Sequence, residues 1–156
     1  MTTLIDGSQL LAIAYGNLVT KAAQNLPQTA TANLFTVAGG NVLVTGLIGE
    51  VTTVIGATAT SLSLGVTPTT GTANSTGLAT ATAITSKEAG TFVGLLNSSG
   101  VGGGLVVGAN AGQGLFVPLP IIVAPGTITW TTSASTTGQM KWYLTYIPLD
   151  SGASVS

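Results

Sequence analysis

Apolar and polar residues alternate most cleanly between Thr127 and Tyr146. Ile128, Trp130 and Thr132 share one face of an extended segment while Thr127, Thr129 and Thr131 share the other, which is the period of two expected of a half-buried strand. Met140, Trp142, Leu144 and Tyr146 repeat the pattern on a second segment. Between them Ser133 to Gly138 is small and polar and ends in glycine, which predicts a β-hairpin with a loop longer than two residues. Pairing even with even residues puts Trp130 and the Trp142 row on one sheet face, where aromatic contacts between neighbouring strands help fix the register. Ile128, Trp130, Trp142, Leu144 and Tyr146 are therefore the expected core.

Steps of three and four recur only near the start. Leu10, Leu11, Ala14, Leu18 and Ala22 predict a helix over residues 8–25, with Ser8 or Asp6 as its cap and Pro27 just beyond its end. Gly16 inside it costs about 1 kcal/mol relative to alanine. So short a helix needs a surface to lie on, either the domain's own sheet or a neighbouring subunit. From Asn33 the chain turns to Thr, Val, Gly and Ala, which favours strands. These are expected over 33–37, 42–48, 51–55, 58–66, 78–84 and 91–96, with a short one over 105–107. Gly39-Gly40 and Gly56 punctuate them, and Gly46 and Gly49 inside apolar runs predict bulges or the close approach of another chain. Residues 67–76 read as a loop, and residues 86–90 as a solvated turn. Pro118, Pro120 and Pro125 confine 121–124 to an edge or a short central piece.

Composition changes the picture of the surface more than that of the core. A chain of 156 residues makes one domain and removes roughly 68–70% of its unfolded surface from water. Charged residues are 4% of the chain and the formal net charge is -1, against about 25% charged in average soluble proteins. Such a surface is either covered by other protein or coated with uncharged Thr, Ser, Asn and Gly. Cysteine is absent, which excludes disulfides and thiolate metal sites. Thr2 and Thr3 follow Met1 without a basic segment, so no secretory signal is expected, and no run approaches the ~18 apolar residues of a membrane-spanning helix. The expected organisation is a helical arm over 1–30, a β domain over 31–150 and a tail over 151–156.

The inventory for catalysis is thin. There is no His and no Arg, and Asp6, Glu50, Glu88 and Asp150 are far apart in the chain, so general acid–base work would need a tertiary coincidence. No serine lies in G-x-S-x-G or S-x-x-K, which leaves Lys21, Lys87 or Lys141 as the only conceivable base for a hydroxyl nucleophile. The glycines at 100, 102 and 103 begin a dinucleotide fingerprint that fails at Leu105, and there is no Gly-Lys for a P-loop. Ligand sets for zinc or calcium are missing, and three lysines make no basic stripe for nucleic acid. Asn74-Ser75-Thr76 and Asn97-Ser98-Ser99 fit a glycosylation sequon, a pattern common by chance. No catalytic, cofactor-binding or metal residue is expected, and no enzyme activity.

The stretch GTITWTTSASTTGQMKWYLTYIPLDSGASV, residues 126–155, resembles the C-terminal β segment of small virion proteins of tailed bacteriophages. The rest of the chain resembles them only in its Gly/Thr/Ala/Val composition. The resemblance implies a small β-barrel or jelly roll that binds the capsid surface as a decoration or cement protein, often as a trimer, with a terminal arm and no catalytic residues. Combined with the patterning, it gives a mainly β fold: one antiparallel β-sandwich, jelly roll or β-barrel domain with one N-terminal helix. The expected partners are copies of the chain, with a trimer favoured, and the viral capsid protein, but neither nucleic acid nor membrane. The expected location is the capsid surface of the virion, after synthesis in the host cytoplasm. Leu10, Leu11 and Leu18 are the expected self-association or capsid contacts. The alternative is a sugar- or receptor-binding β module of a phage fibre or tail tip, using Tyr143 and Phe116 with the loop at 67–76.

Overall fold

A computed structural model of the chain describes residues 14–96, 104–108, 111–114 and 120–156. Their regular structure is entirely β, in eleven strands: β1 (Asn17–Asn25), β2 (Thr31–Ala38), β3 (Val42–Thr53), β4 (Ser61–Pro68), β5 (Asn74–Ala83), β6 (Phe92–Leu96), β7 (Gly104–Val107), β8 (Ile121–Val123), β9 (Gly126–Thr132), β10 (Gln139–Pro148) and β11 (Ser154–Val155). Two open antiparallel sheets result. The larger runs β1-β10-β3-β6-β7, with β8 also on β3, and the smaller runs β11-β2-β9-β4-β5. From β1 to β4 the chain changes sheet at every step, and it does so again from β8 to β9, β10 and β11. The inner faces of both sheets feed one hydrophobic cluster, the arrangement of two sheets that each bury one face against the other.

Two expectations are corrected by this topology. The first is the hairpin: β9 and β10 lie in different sheets and do not pair. Trp130 and Trp142 meet across the interior, ring centroids 5.8 Å apart at 85°, an edge-to-face contact worth about 0.5–1.5 kcal/mol beyond its buried area. Both strands have a large apolar face, and two such faces bury more surface opposed across the core than side by side. The loop at 133–138 spans the roughly 10 Å between sheets. It is tied to the start of β4 by Ser133 N–H to the Ser61 carbonyl (3.0 Å) and to the end of β3 by Gly56 N–H to the Thr137 carbonyl (3.0 Å).

The second correction is the N-terminal helix. Residues 17–25 form β1, antiparallel to β10 with Val19 opposite Leu144 and Lys21 opposite Trp142. Of the expected helix only Ala14 and Tyr15 are helical among the described residues, too few to make an element. The remainder of that prediction, including Leu10 and Leu11, lies outside them. Gly16 has φ +87° and a Cβ there would run into the Tyr146 carbonyl, so this glycine turns the chain onto the sheet. Alanine's helix preference is a few tenths of a kcal/mol per residue, and pairing with an otherwise open edge of β10 outweighs it.

The strands expected over 42–48 and 51–55 are joined in β3, the strand that runs through the middle of the larger sheet. Its register slips where Thr145 and Tyr146 pair with Gly46 and Val44, which leaves Thr45 as the extra residue of a bulge. The inward positions change accordingly from Val42 and Val44 to Leu47, Gly49 and Val51. The tail is not free of the domain: β11 pairs with β2, Ser156 N–H bonds the Thr36 carbonyl at 3.0 Å, and Val155 is buried.

Candidate functional site

The bulge in β3 decides which side chains face outward on the larger sheet. Past Gly46 the outward residues are Ile48 and Glu50, and the register sets them beside Tyr143 and Lys141 on β10 and Gly94 and Phe92 on β6. Leu18 on β1 joins this outer face and is 62% exposed. Two hollows result. One, of about 160 Å³, is lined by Leu18, Gly46, Ile48, Tyr143 and Thr145. The other, of about 300 Å³, is lined by Ile48, Tyr143, Phe92, Gly94 and residues 112–114. Because they share Ile48 and Tyr143, they form one strip with an apolar middle. Farther along β3, Ile122 of β8 adds a side chain that is 66% exposed.

The opposite face of the molecule has different chemistry. Outward positions of the smaller sheet carry hydroxyls, as where the Thr31 and Thr131 side chains bond across β2 and β9 at 2.7 Å. The sandwich therefore has one outer face with an apolar strip and one rich in threonine and serine.

Charged groups border the strip. Tyr143 Oη–H donates to Glu50 Oε2 at 2.9 Å, and the Lys141 ammonium lies 4.7 Å from the Tyr143 ring centroid. Contact with Tyr143 holds the Lys141 pKa above its ordinary value, first through hydrogen bonding and then through charge, and the Glu50 carboxylate adds to the effect. A general base would need the opposite shift. Three other ionic groups are engaged with backbone: Asp150 Oδ2 accepts from Asn41 N–H at 2.7 Å, Glu88 Oε1 accepts from Ala111 N–H at 3.0 Å, and the Lys87 ammonium donates to the Gly108 carbonyl at 3.3 Å; the Lys21 ammonium lies 6.0 Å from the Phe35 ring centroid. Asp6 lies outside the described residues. Among the described residues no group of three or more Asp or Glu side chains is placed to hold a metal ion.

No family model, no curated protein and no solved structure matches this chain.

The positions singled out in the sequence fall in several places. Ile128, Trp130, Trp142, Leu144 and Tyr146 are buried between the sheets. Leu18 faces outward beside Ile48, whereas Leu10, Leu11 and Phe116 lie outside the described residues. Tyr143 is on the larger sheet, and the expected loop at 67–76 narrows to a connection between β4 and β5 in the smaller one, so these two parts of the alternative site belong to different sheets. Ile48, Phe92 and Ile122 are not among the residues that alternation marks, but β3 carries a signal for its outer face. The run VLVTGLIGEV in β3 is apolar at both parities, which marks a strand with something to cover on each face.

Proposed function

We propose that the chain is a non-enzymatic structural protein of a virus particle, a capsid decoration or cement protein that holds neighbouring shell subunits together and associates with itself, most simply as a trimer. The observation that carries this reading is the apolar strip of Leu18, Ile48, Tyr143 and Phe92 on the outer face of the larger sheet, in a chain with only three lysines and four acidic residues. An outward apolar sheet face in so neutral a chain favours burial against protein. Each such contact contributes ~25 cal/mol per Å² of apolar area removed from water, and several engaged at once reinforce one another through effective concentration. The strand order adds support. β1-β10-β3-β6 opposite β2-β9-β4-β5 is the order of an eight-stranded jelly roll, with β7, β8 and β11 as additions, and that architecture serves viral capsid and lectin domains among others. Fold analogy assigns no activity by itself, so the proposal rests on the strip.

The test replaces Leu18 and Ile48 by Asp, two outward positions whose change leaves the core intact. Light scattering of the purified wild type should give an oligomer that binds shells of the encoding virus prepared without this protein. The double variant should be a folded monomer that does not bind them. A wild type that is a lone monomer and ignores such shells overturns the proposal.

A further inference from the structure

A second concavity lies at the end of the sandwich where β1 and β3 finish and β10 begins. It measures about 710 Å³ and is walled by Asn25, Gln28 and residues 56–58 and 135–138, within the usual 300–1,000 Å³ of small-molecule sites. Three connections, each between elements of different sheets, build it, and hydrogen bonds fasten them to one another. Leu26 N–H bonds the Gly138 carbonyl at 3.2 Å and Gly56 N–H the Thr137 carbonyl at 3.0 Å. The Gln28 amide donates to the Leu26 carbonyl at 2.8 Å and to the Thr136 carbonyl at 3.0 Å. The walls are therefore fixed before anything binds.

Their polar side chains are all uncharged. Asn25, Gln28, Thr58, Ser135, Thr136 and Thr137 supply amides and hydroxyls, and no charged or aromatic side chain is among the described residues lining the cleft. Some of that capacity is unspent. Thr136 is 7% exposed, yet its Oγ1 has no hydrogen-bond partner among the described residues. A Cβ on Gly56 would lie 2.7 Å from Thr136 Oγ1 and 2.9 Å from Thr137 Oγ1, so both hydroxyls converge on the bare backbone of the cleft wall. Thr136 Oγ1 itself is closed off beside Gly56, whereas Thr58 and Thr137 are exposed residues of the wall whose hydroxyls a ligand can reach.

We propose that this cleft binds a neutral polyhydroxylated ligand, a mono- or disaccharide unit of a glycan. A charged ligand would be desolvated there without a counter-charge. An apolar ligand would leave the amides and hydroxyls unpaired. An extended peptide is captured along a sheet edge with pockets for alternate side chains, and these walls are loops. Sugar hydroxyls both donate and accept, and so do the threonine hydroxyls, which rotate to suit. The site is separate from the apolar strip, and its case does not depend on the shell proposal: a glycan-binding monomer that ignores shells would defeat that proposal and leave this one standing.

The probes are lactose, maltose, cellobiose and chitobiose, followed by amide chemical-shift changes and calorimetry. Without an aromatic platform the expected Kd for at least one of them is on the order of 1 mM, with shifts concentrated at 25–28, 56–58 and 135–138. The double variant Thr58→Val, Thr137→Val changes two exposed residues and should weaken binding about tenfold while the circular dichroism stays the same. The inference is overturned if none of the four sugars binds, if the shifts map elsewhere, if the double variant binds as tightly as the wild type, or if a neutral Gly-Ser peptide binds in the cleft more tightly than the sugars.

Discussion

Gly49 lies directly opposite Trp142 in the register between β3 and β10, and the indole uses the space that a side chain would take. A Cβ at Gly49 would stand 3.0 Å from two atoms of that ring and 2.8 Å from the Met140 methyl. Met140 can rotate away, but Trp142 is fully buried against Trp130 and has little room to give. Gly49→Ala should therefore destabilise the fold by about 1–3 kcal/mol, the usual result of overpacking. Trp142→Ala should cost more, about 3–5 kcal/mol. Urea unfolding with an unchanged slope would verify both values, and an alanine at 49 that costs nothing would contradict this packing. Neither indole N–H has an acceptor among the described residues, so these tryptophans are held by apolar contact.

At the scale of the element, β1 is where local preference and tertiary pairing part company. The segment NLVTKAAQN contains good helix formers, yet it lies along the edge of β10 with Leu18 turned out and Val19 packed on the core. Gly16 gives the two conformations opposite signatures. In a helix interior Gly16→Ala would stabilise by about 1 kcal/mol. At φ +87° against the Tyr146 carbonyl the same change should destabilise by about that much or more. Thermal melting of this one variant gives the sign. Bulges operate at the same scale: the extra residue at Thr45 turns Ile48 and Glu50 outward, and with them the apolar strip.

For the whole molecule, the few charges set how association should respond to conditions. Raising salt shortens the Debye length from about 10 Å at 0.1 M to about 3 Å at 1 M, which weakens exposed ion pairs and leaves apolar burial largely intact. If the chain associates with itself as proposed, light scattering across that range of sodium chloride should show the association constant changing by no more than about twofold, and a steep loss would point to charged contacts instead. The alternation at 127–132 and 139–146 was legible in the primary structure because a strand with one buried face carries its period in its own residues. The glycines at 46 and 49 likewise announced a bulge and a close approach, although what approaches Gly49 is this chain's own Trp142. The 8–25 pattern misled, because three- and four-residue spacing describes a segment in isolation and says nothing about an open strand edge elsewhere. Composition and alternation determined on their own that the chain is mainly β, sparsely charged and poor in catalytic groups. Only the tertiary structure decided that β9 and β10 face each other across the core, that Leu18 lies beside Ile48, and that three distant connections meet in a polar cleft. Those facts are pairings between residues far apart in the chain, and the free energy that selects them is absent from any single segment.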